Sequence, residues 1–182
     1  MTLAELFDRV IDAFAREHVD FMLIGGMAVA LWVQPRTTQD CDIVVKISKK
    51  DQGRLKAALV ASGSRVTALE MRLLFERKWI RTKTAGPMLD VHRCLSAHDK
   101  AAFDHAAILE ANGRRIRVAS AEDLVLYKLQ AWRPQDRLAV QEILDQVKNL
   151  DRAYIESWLD RIRAATEAPM RARWAEITNT GV

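Results

Sequence analysis

An apolar segment that ends in Gly25-Gly26 and leads, 14 residues further on, into Asp40-x-Asp42 constrains this chain more than any other feature. Residues 21–45 read as a buried strand, a double glycine, a short helical stretch and a second strand. Glycines between a strand and a helix let backbone N–H groups approach a phosphate closely, with the positive end of the helix behind them. Side chains at i and i+2 of a strand point to one face, about 6–7 Å apart along the chain. Two carboxylates so placed can hold one divalent ion or bridge a pair of ions. Taken singly, Gly-Gly is a tight turn and Asp-x-Asp the polar start of a surface strand. In this order and at this spacing they point together to phosphate, metal and hence nucleotide chemistry.

The surrounding pattern predicts what holds that segment. Thr2-x-x-Glu5 is a capping box, and Leu3, Leu6, Phe7, Val10, Ile11 and Phe14 recur at helical spacing, so a helix is expected over 3–17. Strands follow at 19–24 and 41–47, with short helices at 27–33, ended by Pro35, and at 51–62, closed by Gly63. Two strands are expected at 73–82 and 87–92, a helix over 98–110, a tight turn at Asn112-Gly113 and a strand at 114–118. Beyond Ser120 nearly everything reads as helix, at 121–132, 135–149, 152–165 and 167–178. The expected fold is therefore α/β (α+β): a mixed sheet flanked by helices over residues 1–118, with a helical carboxyl-terminal region over 119–182.

Composition narrows the class. The longest nearly apolar run, 21–33, is too short for the roughly 20 residues that span a bilayer, so no membrane partner is expected. Glu5, Asp8 and Asp12 lie where a signal peptide would be basic and then continuously apolar. Two cysteines, Cys41 and Cys94, are too few for a disulfide framework, and the cytoplasm is the expected location. The formal net charge is +4, and the stretch 65–83 holds six basic residues against Glu70 and Glu76. Such a patch attracts polyanions; it also suits a solvated edge strand protected from aggregation. His92, Cys94 and His98 near Cys41 match no common zinc spacing and read as ordinary buried or loop residues. The five tryptophans lie mostly at helix-face spacing, which favours packing over base stacking.

A third carboxylate would complete a metal-dependent transferase, and Asp90 in Pro87-Met-Leu-Asp-Val-His92 is placed for it. A charge in an apolar strand is costly unless paired or bound to metal. The run Gly25-Gly26…Trp32-x-x-Pro35-Arg36-x-Thr38-x-Asp40-x-Asp42, with the later strand Asp90, resembles the minimal nucleotidyltransferases of the DNA polymerase β superfamily. Within it, the AbiEii-like nucleotidyltransferase-fold proteins of toxin–antitoxin and phage-defence loci are the most similar. Ser120 to Lys128, followed by Arg133-Pro-Gln-Asp136, resembles the helical region after their core. The chain departs from the pattern at Gly26, Val33 and Ala139, where relatives often carry Ser, Gly and Asp.

That resemblance implies an enzyme that uses Mg²⁺, with two ions, and a nucleoside triphosphate. It implies that Gly25 and Gly26 contact the triphosphate, that Asp40, Asp42 and Asp90 hold metal and act in catalysis, and that Asp90 helps deprotonate the attacking hydroxyl. Lys128, Arg133 and Asp136 would serve the nucleotide, and Arg36 and Thr38 would steady the loop or touch phosphate. The implied acceptor is a protein or RNA hydroxyl, with a cognate toxin or antitoxin as partner. Two rivals stand beside it: a catalytically weak module for nucleotide sensing or protein binding, and an aminoglycoside-modifying enzyme of the same superfamily. The basic stretch 65–83 counts mildly against the second.

Overall fold

The computed structural model describes residues 1–34, 38–111 and 113–179. Helix α1 (Leu3–Arg16) begins as its sequence dictates: the Thr2 hydroxyl accepts the Glu5 N–H, and the Glu5 carboxylate accepts the Thr2 N–H. Its apolar stripe buries Leu6, Val10 and Phe14 completely. Each such side chain contributes about 1.5–3 kcal/mol relative to exposure. Strand β1 (Asp20–Ile24) follows, then α2 (Gly25–Trp32), β2 (Cys41–Lys46), a single 3₁₀ turn and α3 (Gln52–Ala61).

Next the structure departs from expectation. Instead of a strand over 73–82 there is a helix, α4 (Ala68–Arg77), and only then a short strand, β3 (Trp79–Thr82). The cause is a second capping box: Thr67 Oγ1 accepts the Glu70 N–H at 3.1 Å, and Glu70 accepts the Thr67 N–H at 2.7 Å. Lys78, with φ of 75°, closes the helix in the left-handed conformation and turns the chain into β3. Strand β4 (Leu89–Arg93) forms close to where it is predicted.

A second departure concerns 98–110. Helix α5 (Ala97–His105) stops early, and β5 (Ala107–Ala111) pairs antiparallel with β6 (Arg114–Val118) from Ala107↔Val118 to Ala111↔Arg114. Gly113 at φ of 71° serves the turn of this hairpin; Asn112 lies outside the described residues. Tertiary pairing with β6 overrides a local sequence that carries no helix breaker.

The six strands form one mixed sheet in the order β3-β4-β2-β1-β6-β5. Strands β2 and β4 run parallel, as do β1 and β6, and the other neighbours are antiparallel. Four helices complete the chain: α6 (Ala121–Ala131), α7 (Pro134–Gln146), α8 (Arg152–Thr166) and α9 (Met170–Asn179). Their starts are set by the Ser120 cap, by Pro134 in the first turn and by the Asp151 cap. Helix α6 packs against α2, and one hydrophobic core runs from Leu6 to Ile177. Trp158 and Trp174 are buried in it, whereas Trp79 is exposed on β3. Among the described residues no helix is long and apolar enough to cross a membrane.

Candidate active site

Sheet register builds the site. Asp42 on β2 lies opposite Ile24 on β1 and beside Asp90 on β4, and Asp90 lies opposite Arg81 on β3. Directly opposed residues in adjacent strands project to the same face. Asp42, Asp90 and Arg81 therefore form one row, and Asp40, two residues before Asp42, joins them. The pairing of the β2 and β4 strands is what brings the third carboxylate to the first two.

Gly25 explains its own identity here. Its φ is 70°, and a Cβ added to it would stand 2.1 Å from Asp42 Oδ2. Only glycine lets the backbone adopt this turn and touch the carboxylate. Gly26 is close to Thr38: an added Cβ would stand 2.7 Å from its hydroxyl oxygen. Thr38 in turn donates to the Asp40 carbonyl at 3.4 Å, steadying the entry to β2. Arg36 lies outside the described residues.

The three carboxylates have different surroundings. Burial and the neighbouring Asp90 charge push the Asp42 pKa up to about 6, and Asp40 adds to this; Lys128 and Arg133 oppose it. Asp90 is gripped by Arg81, whose Nε and Nη2 donate to its two oxygens at 2.8 and 2.7 Å. The same Nη2 reaches Asp40 Oδ2 at 3.3 Å. Bidentate pairing of this kind is strong and geometrically specific. It also holds the Arg81 guanidinium protonated, its pKa raised first by the hydrogen bonds to Asp90.

On the helical side a second charge group faces the first. Asp136 on α7 is fully buried and accepts from Lys128 Nζ at 2.9 Å, from Arg133 Nε at 2.7 Å and from the Arg133 backbone N–H at 3.0 Å. Burial would raise its pKa, but the bonds from Arg133 and Lys128 outweigh this and lower it. Asp136 thus lies beneath the surface, bonded to both Lys128 and Arg133. Both cations line a cleft of about 500 Å³ that also includes Gly26, Thr38, Asp40, Asp42 and Asp90. Seven of the residues expected from sequence therefore share one cleft, with Gly25 and Asp136 packed directly behind it.

Oxygen donors dominate the acidic end, which suits a hard divalent cation. Mg²⁺ commonly takes one or two carboxylates and fills its remaining positions with water and phosphate oxygens. Burial first, and the negative charge of Asp90 and Asp40 after it, raise the Asp42 pKa, and a bound cation would offset both. The expected three-carboxylate cage is not gathered, however. Among the described residues no three His, Cys, Asp or Glu side chains are close enough to hold an ion, and Asp90 and Asp40 are both engaged by Arg81. Of the histidines weighed for zinc, His92 stacks on Trp79 and His98 bonds to Asp123.

Two features went unread in the sequence. Arg81 was visible only as one charge of the basic stretch 65–83, yet it alone of that stretch lines this cleft among the described residues. Asp123 lies in the first turn of α6, where an acidic residue is commonplace. It is fully buried and accepts from Ser120 and Tyr154 at 2.9 Å, and pairs with His98 and His105 at 3.0 Å.

No family model matches the chain, and no curated protein matches it in sequence. Solved structures do. The chain is similar to the antibiotic-resistance factor ANT(2'')-Ia in complex with adenylyl-2''-tobramycin, at 17% identity and a TM-score of 0.62, over 93% of this chain and 97% of that one. A solution structure of ANT(2'')-Ia gives 18% identity, a TM-score of 0.61 and coverage of 96% and 94%. The lincosamide antibiotic adenylyltransferase LnuA, lincomycin-bound, gives 18% identity, a TM-score of 0.55 and coverage of 79% and 96%. At these identities the likeness is one of fold, and the fold is that of nucleotidyltransferases.

Proposed function

We propose that the protein transfers a nucleoside monophosphate from a nucleoside triphosphate to a hydroxyl, releasing pyrophosphate. The observation that carries this reading is the juxtaposition in one cleft of Asp42 and Asp90 with Gly26 of the glycine turn and the Lys128–Arg133 pair. The glycine turn presents backbone at the amino end of α2, where phosphate oxygens are favoured. Lys128 and Arg133, held in place by Asp136, compensate the negative charge of the triphosphate and of the leaving pyrophosphate. Asp42 and Asp90, with Asp40 at the rim, are the oxygen donors for a divalent cation. Bound there, one Mg²⁺ or a pair would supply neutralisation of charge on the attacking and leaving oxygens. Asp90 is the base for the acceptor hydroxyl, lying in the same row as Asp42.

For the acceptor, the AbiEii-like sequence pattern supports a protein or RNA hydroxyl in a toxin–antitoxin or phage-defence setting. A second reading has an observation of its own. The antibiotic nucleotidyltransferases match this chain over nearly their whole length, so a small-molecule hydroxyl is also a candidate acceptor. The basic stretch that counted against a cationic antibiotic does not line this cleft, Arg81 apart, among the described residues.

Transfer of label from each α-labelled nucleoside triphosphate, with Mg²⁺, tests both readings. Acceptors would be a bacterial lysate and a panel of aminoglycosides and lincosamides, and the control Asp42→Ala. Label that moves with the wild-type protein and not with the variant establishes the chemistry and identifies the acceptor class. Equal transfer by both proteins rejects the site. No transfer with any nucleotide or acceptor favours the nucleotide-sensing or protein-binding module.

A further inference from the structure

Arg81 stands where the expected chemistry has no use for a fixed cation. Its guanidinium takes both oxygens of Asp90 and touches Asp40, two of the three carboxylates the nucleotidyltransferase reading assigns to metal. Asp42 sits beside Asp90 and, among the described residues, has no such two-pronged partner. The side chain of Arg81 is half exposed, at 50%, whereas that of Asp90 is 9% exposed. The carboxylate is thus fixed in the sheet, and the arginine arm is the part with open space to move into. Its strand, β3, is at the edge of the sheet, and the arm lies in the same cleft as Lys128 and Arg133.

We propose that Arg81 is a resident counter-ion that competes with the divalent cation for Asp90 and Asp40, and that it changes partner to the triphosphate when nucleotide enters. The inference rests on the nucleotidyltransferase reading and adds a coupling between its two ligands. While Arg81 holds Asp90, the site offers a divalent cation little uncompensated charge beyond Asp42. Phosphate oxygens accept a guanidinium in the same two-pronged geometry as a carboxylate, so an incoming triphosphate gives Arg81 an equivalent partner. Arg81 then releases the carboxylates at the moment the nucleotide arrives. Metal without nucleotide binds weakly, nucleotide strengthens metal binding, and by linkage metal strengthens nucleotide binding to the same degree. Such a device keeps the carboxylates neutralised between turnovers and reserves the metal site for the occasion when substrate is present.

The test is Mn²⁺ binding followed by electron paramagnetic resonance on the full chain without nucleotide, for wild type, Arg81→Gln, Arg81→Lys and Asp42→Asn. Calorimetric binding of a non-hydrolysable nucleoside triphosphate analogue is measured beside it, with and without Mn²⁺. Arg81→Gln is expected to bind Mn²⁺ alone about tenfold more tightly than wild type, and to lose most of the mutual strengthening between metal and analogue. Arg81→Lys keeps a charge and a foldable site but loses the two-pronged grip, so it shows the same changes to a smaller extent. Melting curves establish that each variant is folded; if Arg81→Gln is not, Arg81→Lys carries the test. Equal or weaker Mn²⁺ binding by the folded Arg81 variants overturns the proposal while leaving the nucleotidyltransferase reading intact, provided Asp42→Asn abolishes binding. If no protein binds Mn²⁺ with or without the analogue, the reading itself fails and the counter-ion role with it.

Discussion

Asp42→Asn should stabilise the metal-free protein above pH 6 while abolishing its activity. Asp42 has a pKa of about 6 in the folded chain against 3.8 for an unperturbed aspartate, because it is buried beside Asp90 and Asp40. The folded state therefore holds the Asp42 proton more tightly than the unfolded state. Stability is gained as pH falls from about 6 towards 3.8, and the penalty is complete above about pH 7. A difference of about two pKa units corresponds to about 3 kcal/mol at pH 8 and to about 1.5 kcal/mol at pH 5. Asparagine has the same shape and no charge, so it removes the penalty. For a chain of this size, 3 kcal/mol is roughly 6–12 °C in melting temperature. Thermal melts of both proteins in chelator at pH 8 and pH 5 give the difference directly. A variant that is destabilised at pH 8, or whose gain is the same at both pH values, would refute the argument that Asp42 is a strained carboxylate awaiting a cation.

Gly25→Ala places a methyl 2.1 Å from Asp42 Oδ2 at a φ of 70°; strain of about 1–3 kcal/mol from the backbone alone and displacement of Asp42 should appear as a lower melting temperature and lost nucleotidyl transfer. Asp136→Ala leaves Lys128 without its buried partner and should cost about 3–5 kcal/mol in urea unfolding, with nucleotide binding weakened because both cleft cations lose their anchor. Asp123→Ala removes the acceptor shared by Ser120 and Tyr154, and the partner of His98 and His105, so unfolding free energy should fall by about 3 kcal/mol or more while nucleotide affinity per folded molecule is retained. Retained stability in any of these three variants contradicts the geometry on which it rests.

The carboxylates and the glycine turn were legible because each depends on local chemistry: strand alternation for Asp40 and Asp42, the need for bare backbone at Gly25, the oddity of a charge in the apolar strand of Asp90. Helix α4 was legible too, through Thr67-x-x-Glu70, but the apolar residues that follow were read as strand ahead of that cap. Strand β5 was not, since Ala107, Ile108 and Leu109 continue a helical composition and only pairing with β6 decides their state. Asp136 shows a different limit. Its neighbourhood with Lys128 and Arg133 is legible in the sequence, but its complete burial beneath them is not. Arg81 and Asp123 were hidden for a common reason. Strand pairing across a hairpin decides the Arg81–Asp90 contact, while Asp40 for Arg81 and Tyr154 for Asp123 come from distant segments, and no periodicity records such meetings.

The parallel pairing of β2 with β4 has a consequence for how the chain acquires its structure. The crossover between them spans residues 47–88, whereas β3 and β4 are joined by a short hairpin. Local hairpins close in microseconds, and pairings across long loops come later. Arg81 and Asp90 thus meet before Asp90 reaches Asp42. What docks onto β2 is an already neutral ion pair, so the sheet closes around its active-site charges without first having to bring two bare carboxylates together.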